Sequence, residues 1–270
     1  MKPFSVLGVS WALMAVLGAC TLPADLAAQS SQLLPFFDTV QNPVQVRFPR
    51  SRPVDVTPPP PQLNGFDQAV LAACGPFGSA VPGSRFRKLL QDHPQVLAQV
   101  QQAVGGELRP GRRSREAFLD DLTRAWSQRR GFTHIFCGEP KEDGQVGGLH
   151  YVGRYWQLQQ QGKGGRLPNN TQQEEVVPGA VYTVGVVIRA GDRTYTDTIK
   201  GYPYPSNAQE LLTDATRLLK AQGNREGACT ASIQDRDSRA GFSAVFVSNG
   251  SAIVTYYPDA TPRGNACRSR

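Results

Sequence analysis

The sequence predicts an α+β protein: an N-terminal helical region followed by a domain of mostly antiparallel β-sheet with a helix between strands. Three observations predict it. Apolar residues recur at three- and four-residue spacing between Phe86 and Trp126. From Gly131 onward the recurrence gives way to β-rich, alternating runs. Two of the last runs flank Asn249-Gly250, the strongest short-range hairpin signal. Charged residues are 19% and apolar residues 40% of the 270, which fits a folded chain rather than a charge-rich disordered one.

The elements follow in order. Phe86, Leu89 and Leu90 mark one helix, Pro94 breaks it, and Val96, Leu97, Val100 and Val104 mark the next. Ser114 is an N-cap for a third helix with Phe118, Leu119, Leu122 and Trp126 on one face, ending at Gly131. Val181 to Ile188 and Thr194 to Ile199 read as strands around the turn Gly191-Asp192. Ser206 begins a helix with Gln209 three residues on, and Leu211, Leu212, Ala215, Leu218 and Leu219 face inward until Gly223. Strands over Thr230–Gln234, Phe242–Ser248 and Ser251–Tyr257 close the chain.

The organisation expected is a signal peptide over 1–20, a Pro-rich disordered tether over 21–62, a basic helical region over 63–130 and a sheet domain over 131–270. Residues 1–20 carry Lys2 and then an uncharged apolar stretch, the layout of an export signal. Leu17-Gly18-Ala19-Cys20 is similar to a lipobox, which would lipidate Cys20 and tether the protein to a membrane; ordinary cleavage near Ala27 or Ala28 is the alternative. The expected location is secreted or periplasmic, in the cell envelope. Seven of the twenty residues from Asn42 to Pro61 are proline, which favours an extended chain without donors. In an oxidising compartment Cys74, Cys137, Cys229 and Cys267 can pair in three ways, and the sequence does not choose among them.

Charge is uneven. Residues 84–130 hold ten basic and five acidic residues, most of the net +7. Arg112, Arg113 and Arg115 crowd one helix start, either as a solvated face or as a surface for polyanions. Three histidines exclude a His-rich metal cage, and the absence of CxxC spacing excludes a zinc ribbon.

Two of those histidines are candidates for chemistry. Phe132–Glu139 and Gly147–Val152 flank the turn residues Pro140–Gly144. A hairpin centred on Glu142 places His134 directly across from His150, Cβ atoms about 5 Å apart, unless Gly147-Gly148 bulges. Two imidazoles suit general acid–base work, because one ring accepts a proton while the other donates near neutral pH. Simple cross-strand packing is the alternative. Thr255 and Tyr257 share one face of the last strand, a hydroxyl beside a ring, fit to hydrogen-bond and stack a base. Glu139 either orients His134 or begins the turn, Glu174-Glu175 reads as solvated, and His93 as a surface residue.

Thr133–Glu139, Gly147-Gly148-Leu149-His150 and Thr255-Tyr256-Tyr257-Pro258, with Lys200 fifty residues after His150, resemble the EndoU endoribonucleases over about residues 131–260. The resemblance implies cleavage of single-stranded RNA, preferably after uridylate, leaving a 2′,3′-cyclic phosphate. It implies His150 as general base, His134 as acid, Lys200 as the phosphate cation and Gly148 N–H as a phosphate donor. Thr255 and Tyr257 would line the uridine site, with Ser206 at the start of the following helix. No cofactor is implied as required, and manganese stimulation stays open. The alternative is a non-catalytic module that binds RNA or other polyanions on the same fold. A toxin role, with a cognate immunity protein, is among the purposes that the chain leaves unread.

Overall fold

The computed structural model of the protein describes residues 32–46 and 52–268. The export segment, Cys20 and the alternative cleavage site lie outside the described residues. Among the described residues no helix is long and apolar enough to cross a membrane.

The segment expected to be a free tether is packed. Phe36 and Phe37 are fully buried. Phe36 meets Tyr155 edge-on at 5.0 Å, and Phe37 lies 6.0 Å from both Trp156 and Tyr202. The Gln159 side-chain oxygen accepts from both Phe36 and Phe37 N–H, at 2.6 and 2.9 Å. Strands β1 (Val44–Gln45) and β2 (Pro53–Val54) pair antiparallel, and the Tyr204 hydroxyl donates to Pro59 O at 2.9 Å. Prolines keep this chain extended. Burying two aromatic rings of roughly 150–250 Å² each then holds it down.

Helix α1 (Gly65–Cys74) is a helix that no sequence signal above marks. Asn64 and Asp67 form a capping box at its start, and the other oxygen of buried Asp67 accepts from Ala208 N–H at 2.8 Å. One carboxylate thus satisfies orphan donors of two helices. Helices α2 (Gly83–Asp92), α3 (Pro94–Ala103) and α4 (Arg115–Ser127) follow the expected periodicity, Ser114 Oγ accepting from Ala117 N–H as N-cap. Trp126 is the hub. Its ring lies 6.2 Å from Phe86 and 5.7 Å from Phe136, and its N–H donates to Thr216 Oγ1. These contacts run across residue 130, so the helical region and the sheets share one core.

A π-helical turn, Thr133–Cys137, comes next, followed by the short pair β3 (Glu139–Pro140) and β4 (Val146–Gly147). Helix α5 (Val152–Gln160), also unmarked in the sequence, leads to a four-stranded sheet. In it β5 (Gly164–Arg166) and β6 (Glu174–Val177) share one edge of β7 (Val181–Ala190), and β8 (Arg193–Pro203) takes the other. Helix α6 (Ala208–Gln222) packs beneath a second, three-stranded sheet of β9 (Gly227–Gln234), β10 (Gly241–Asn249) and β11 (Ala252–Pro258), ordered β11-β10-β9. Asn249 pairs with Ala252, so Gly250 and Ser251 form the two-residue loop, Gly250 at φ 59°. Disulfides join Cys74 to Cys137 and Cys229 to Cys267.

Much of the basic charge in the helices is spent locally. Arg112 pairs with Asp121 at 2.8 Å, Arg113 with Glu107 at 3.1 Å, and Arg87 with Asp120 at 2.7 Å and with Glu116. That leaves a laced surface more than an open polyanion face.

Candidate active site

The facing histidines of the sequence are neighbours here, though not through a long hairpin. Glu139 faces Gly147 rather than Gln145, and the ladder ends there. His134 sits instead on the π turn, closed by Gly138 N–H donating to Thr133 O at 3.0 Å. Ile135, Phe136 and Cys137 point into the core, and the Cys74–Cys137 disulfide and Arg154 Nε, donating to Cys137 O at 3.0 Å, hold the end of the turn. Burial presses the Arg154 guanidinium down to about 10. His134 is left at the cavity rim with its side chain 25% exposed.

His150 is brought to it by the backbone. Leu149 N–H donates to His134 O and His150 N–H to Ile135 O, both at 2.8 Å. Gly148 makes that approach possible: at φ +60° its missing Cβ would stand 1.8 Å from His134 O. No other residue fits there. Leu149 also adopts a left-handed φ of 71°, which costs roughly 1–2 kcal/mol. The two N–H bonds, and the Tyr155 hydroxyl donating to Leu149 O at 2.7 Å, hold it there. The two imidazole centroids end 5.9 Å apart.

Their surroundings differ. His150 is buried, its Nδ1–H donates to Gly201 O at 3.1 Å, and its pKa is pushed down to about 3 by burial and then by His134. It is therefore neutral at physiological pH with its Nε2 lone pair free to accept. His134 donates Nδ1–H to Glu139 Oε1 at 3.0 Å. That hydrogen bond, with Arg130 at 3.0 Å from the other oxygen, holds the Glu139 carboxyl below its usual range. Glu139 thus orients His134 as well as opening β3.

Both rings face a cavity of about 820 Å³ with Gly148, Lys200, Gly201, Thr255 and Tyr257. Lys200 lies just past an irregularity in β8: Val184 faces Lys200 but Val186 faces Asp197. Asn170 Nδ2–H donates to Thr198 O at 2.5 Å over Gly185, where a Cβ would collide with it, and fixes the bulge. The Lys200 ammonium pairs with Asp197 at 2.8 Å. Thr255 and Tyr257 share a face as expected. Thr255 Oγ1 is buried with no partner among the described residues. The Tyr257 ring stacks on His150, 5.0 Å apart at 23°, so one face of the expected base platform is already occupied by the imidazole.

Ser206 is not part of the cavity. It is buried and donates to Asp235 at 3.3 Å, lining a separate space of about 140 Å³. Nor is it the N-cap; Asn207 is, in a capping box with Glu210. Glu174 corrects a further reading: it is buried and lines the cavity, and the more exposed Lys141, Gln172 and Asp259 line it too. These four lie on loops and strand ends, where no spacing rule could have gathered them. His93 packs against Phe66 away from the site. Among the described residues no group of three or more His, Cys, Asp or Glu side chains is placed to hold a metal ion.

In this half-buried cavity a neutral imidazole, a carboxylate-held imidazole and an ammonium converge, a set whose chemistry suits acid–base work. Residues 128–260 match the family model described as bacterial EndoU nuclease, and through that segment, about half the chain, the protein belongs to this nuclease family. Two solved structures are similar. XendoU, described as a splicing independent snoRNA processing endoribonuclease, aligns at 13% identity and TM-score 0.47 over 73% of this chain and 78% of its own. The endoribonuclease Nsp15 encoded by Middle East Respiratory Syndrome Coronavirus aligns at 17% identity and TM-score 0.33, over 47% of this chain and 33% of its own. No curated protein matches the chain.

Proposed function

We propose that the protein is an exported endoribonuclease that cleaves single-stranded RNA after uridylate and leaves a 2′,3′-cyclic phosphate. One observation supports the reading above the rest: the two imidazoles share one cavity but are held by different partners, His134 by the Glu139 carboxylate and buried His150 by the Gly201 carbonyl. His150 Nε2 takes the proton of the uridine 2′-hydroxyl, and the freed oxygen attacks the adjacent phosphorus. As that bond forms, the bond from phosphorus to the 5′-oxygen breaks. His134, as imidazolium, gives its Nε2 proton to the departing oxygen, so one proton enters and one leaves the protein. The Lys200 ammonium and the Gly148 N–H stabilise the charge gathering on the phosphoryl oxygens.

The buried Thr255 hydroxyl gains its missing partner from a pyrimidine edge, and Tyr257, backed by His150, offers its other face to the base. No step is routed through a metal ion; manganese stimulation, in this reading, acts on the RNA.

The test is a fluorescent oligoribonucleotide with a single uridine, incubated with the full chain in EDTA and again with manganese, products identified by mass. Cleavage 3′ of the uridine with a cyclic phosphate is expected, and none when that uridine is 2′-deoxy. Cleavage of the deoxy substrate would overturn the mechanism. Tight, salt-dependent binding without turnover in either condition would favour the non-catalytic module instead.

A further inference from the structure

A second cavity, of about 850 Å³, opens beside β9, between the C-terminal half of α6 and the chain that follows β11. Arg217, Lys220, Arg236 and Arg268 line it, against a single acid, Asp214, whose ion pair with Arg236 is 3.7 Å long. Hydroxyl and amide side chains of β9 and β10 fill the intervals. Apolar side chains such as Val104, Leu218 and Ile233 also line the space, so the case for RNA over a protein partner rests on its cations. Arginine forks over Ser and Thr hydroxyls suit phosphate oxygens.

The groove is joined to the active site in two ways. Tyr257 faces Val245, and Val245 faces Thr230. Residues directly across share a face. Thr230, which lines the groove, is therefore on the face that carries Tyr257, two strands or about 10 Å away. The second link is a strap. After β11, residues 258–261 wall the catalytic cavity, while Pro262, Ala266, Cys267 and Arg268 wall the groove. Asp259 N–H donates to Ser243 O at 2.9 Å, Cys267 N–H to Thr230 O at 2.7 Å, and the Cys229–Cys267 disulfide fixes the far end.

We propose that this groove is a second phosphate-binding site, which takes the flank of the RNA strand whose uridylate occupies the His134/His150 cavity. The inference rests on the nuclease reading for its substrate but not for its test. An RNA crossing the strap reaches the arginines within a few nucleotides of the scissile bond. Long substrates therefore gain affinity that a dinucleotide does not.

The experiment uses the full chain and an Arg217→Glu/Arg236→Glu variant, with Arg217→Gln/Arg236→Gln to separate charge removal from charge reversal. Both positions are exposed, and thermal unfolding checks that the variants fold. Anisotropy measures binding of a twelve-nucleotide single strand whose only uridine is 2′-deoxy, across a salt series. Cleavage of uridylyl-adenosine is followed in parallel. The charge-reversed variant should bind the twelve-mer about tenfold more weakly. Loss of two contacts should make its salt slope shallower by about 1.4, at roughly 0.7 per phosphate contact. Dinucleotide cleavage should be unchanged.

Unchanged affinity and slope in a wild-type background that cleaves uridylyl-adenosine would overturn the groove and leave the nuclease standing. Lost affinity with a wild type that cleaves nothing would keep the groove and remove the nuclease. A variant that also loses dinucleotide cleavage would refute a separate site. A poly-glutamate peptide competing as well as RNA of equal charge would assign the groove to acidic protein and overturn the proposal.

Discussion

His134 and His150 reach the same cavity from segments that are held in opposite ways. The segment of His134 is a π turn anchored at its end by the Cys74–Cys137 disulfide, and its ring leans on a carboxylate near solvent. The segment of His150 is a two-glycine loop pressed against that turn by backbone bonds, and its ring is buried against a backbone carbonyl. Identical side chains therefore meet different surroundings: His134 keeps a carboxylate partner near solvent, whereas burial holds His150 neutral against a backbone carbonyl. Chemistry that takes one proton and gives another needs one ring neutral and one protonated as the step begins.

The comparison breaks most visibly at His150 itself. His150→Ala should lower cleavage by roughly 10²–10⁴-fold, the range for a general base. In the wild type the acid limb of kcat/KM should fall well below pH 5, since His150 stays neutral down to about 3. An acid limb near pH 6.5 would show that the two rings are not held differently. Stability gives the same information without substrate. A folded pKa below the unfolded 6.5 means the unfolded chain takes up the proton first, so stability falls as pH drops through that window. From pH 7 to pH 5 the contribution is about 2 kcal/mol. Urea unfolding of the wild type against His150→Gln would measure it, and an unchanged pH dependence would refute the buried neutral assignment.

Glu139→Gln sharpens the other side. It keeps an acceptor for His134 Nδ1–H but removes the charge, worth about 1.5 kcal/mol for a hydrogen bond to a charged group, or roughly tenfold in rate. The kcat should fall while KM stays put; a change in KM alone would place Glu139 in substrate binding instead. Smallest is Ser206→Ala, which should leave cleavage within about twofold and cost about 1 kcal/mol of stability for its hydrogen bond to Asp235. A large activity loss there would return Ser206 to the site.

The reach of sequence reading can be traced residue by residue. The helices at Phe86–Trp126 and the hairpin at Asn249-Gly250 were legible because their periodicity and turn chemistry are local. Helices α1 and α5 were not, because their burial is dictated by neighbours. The proline-rich chain misled for the same reason: composition favours an extended backbone, but only the tertiary structure shows Phe36 and Phe37 buried beside Tyr155 and Tyr202. Ser206 failed by one residue, since Asn207 competes for the same N-cap and its partner Glu210 completes the box.

By itself the sequence determined the α+β class, the pairing of a threonine and a tyrosine on one strand face, and the nearness of His134 to His150, each from residue type and short-range spacing; Lys200 entered only through the family resemblance. Tertiary structure decided the rest: the π turn in place of a strand, the left-handed Gly148 that lets His150 approach His134, the neutral burial of one imidazole, and the cavity-facing Glu174. Those features arise where segments far apart in the chain exclude water and supply one another's hydrogen-bond partners, and no local pattern records which segments will meet.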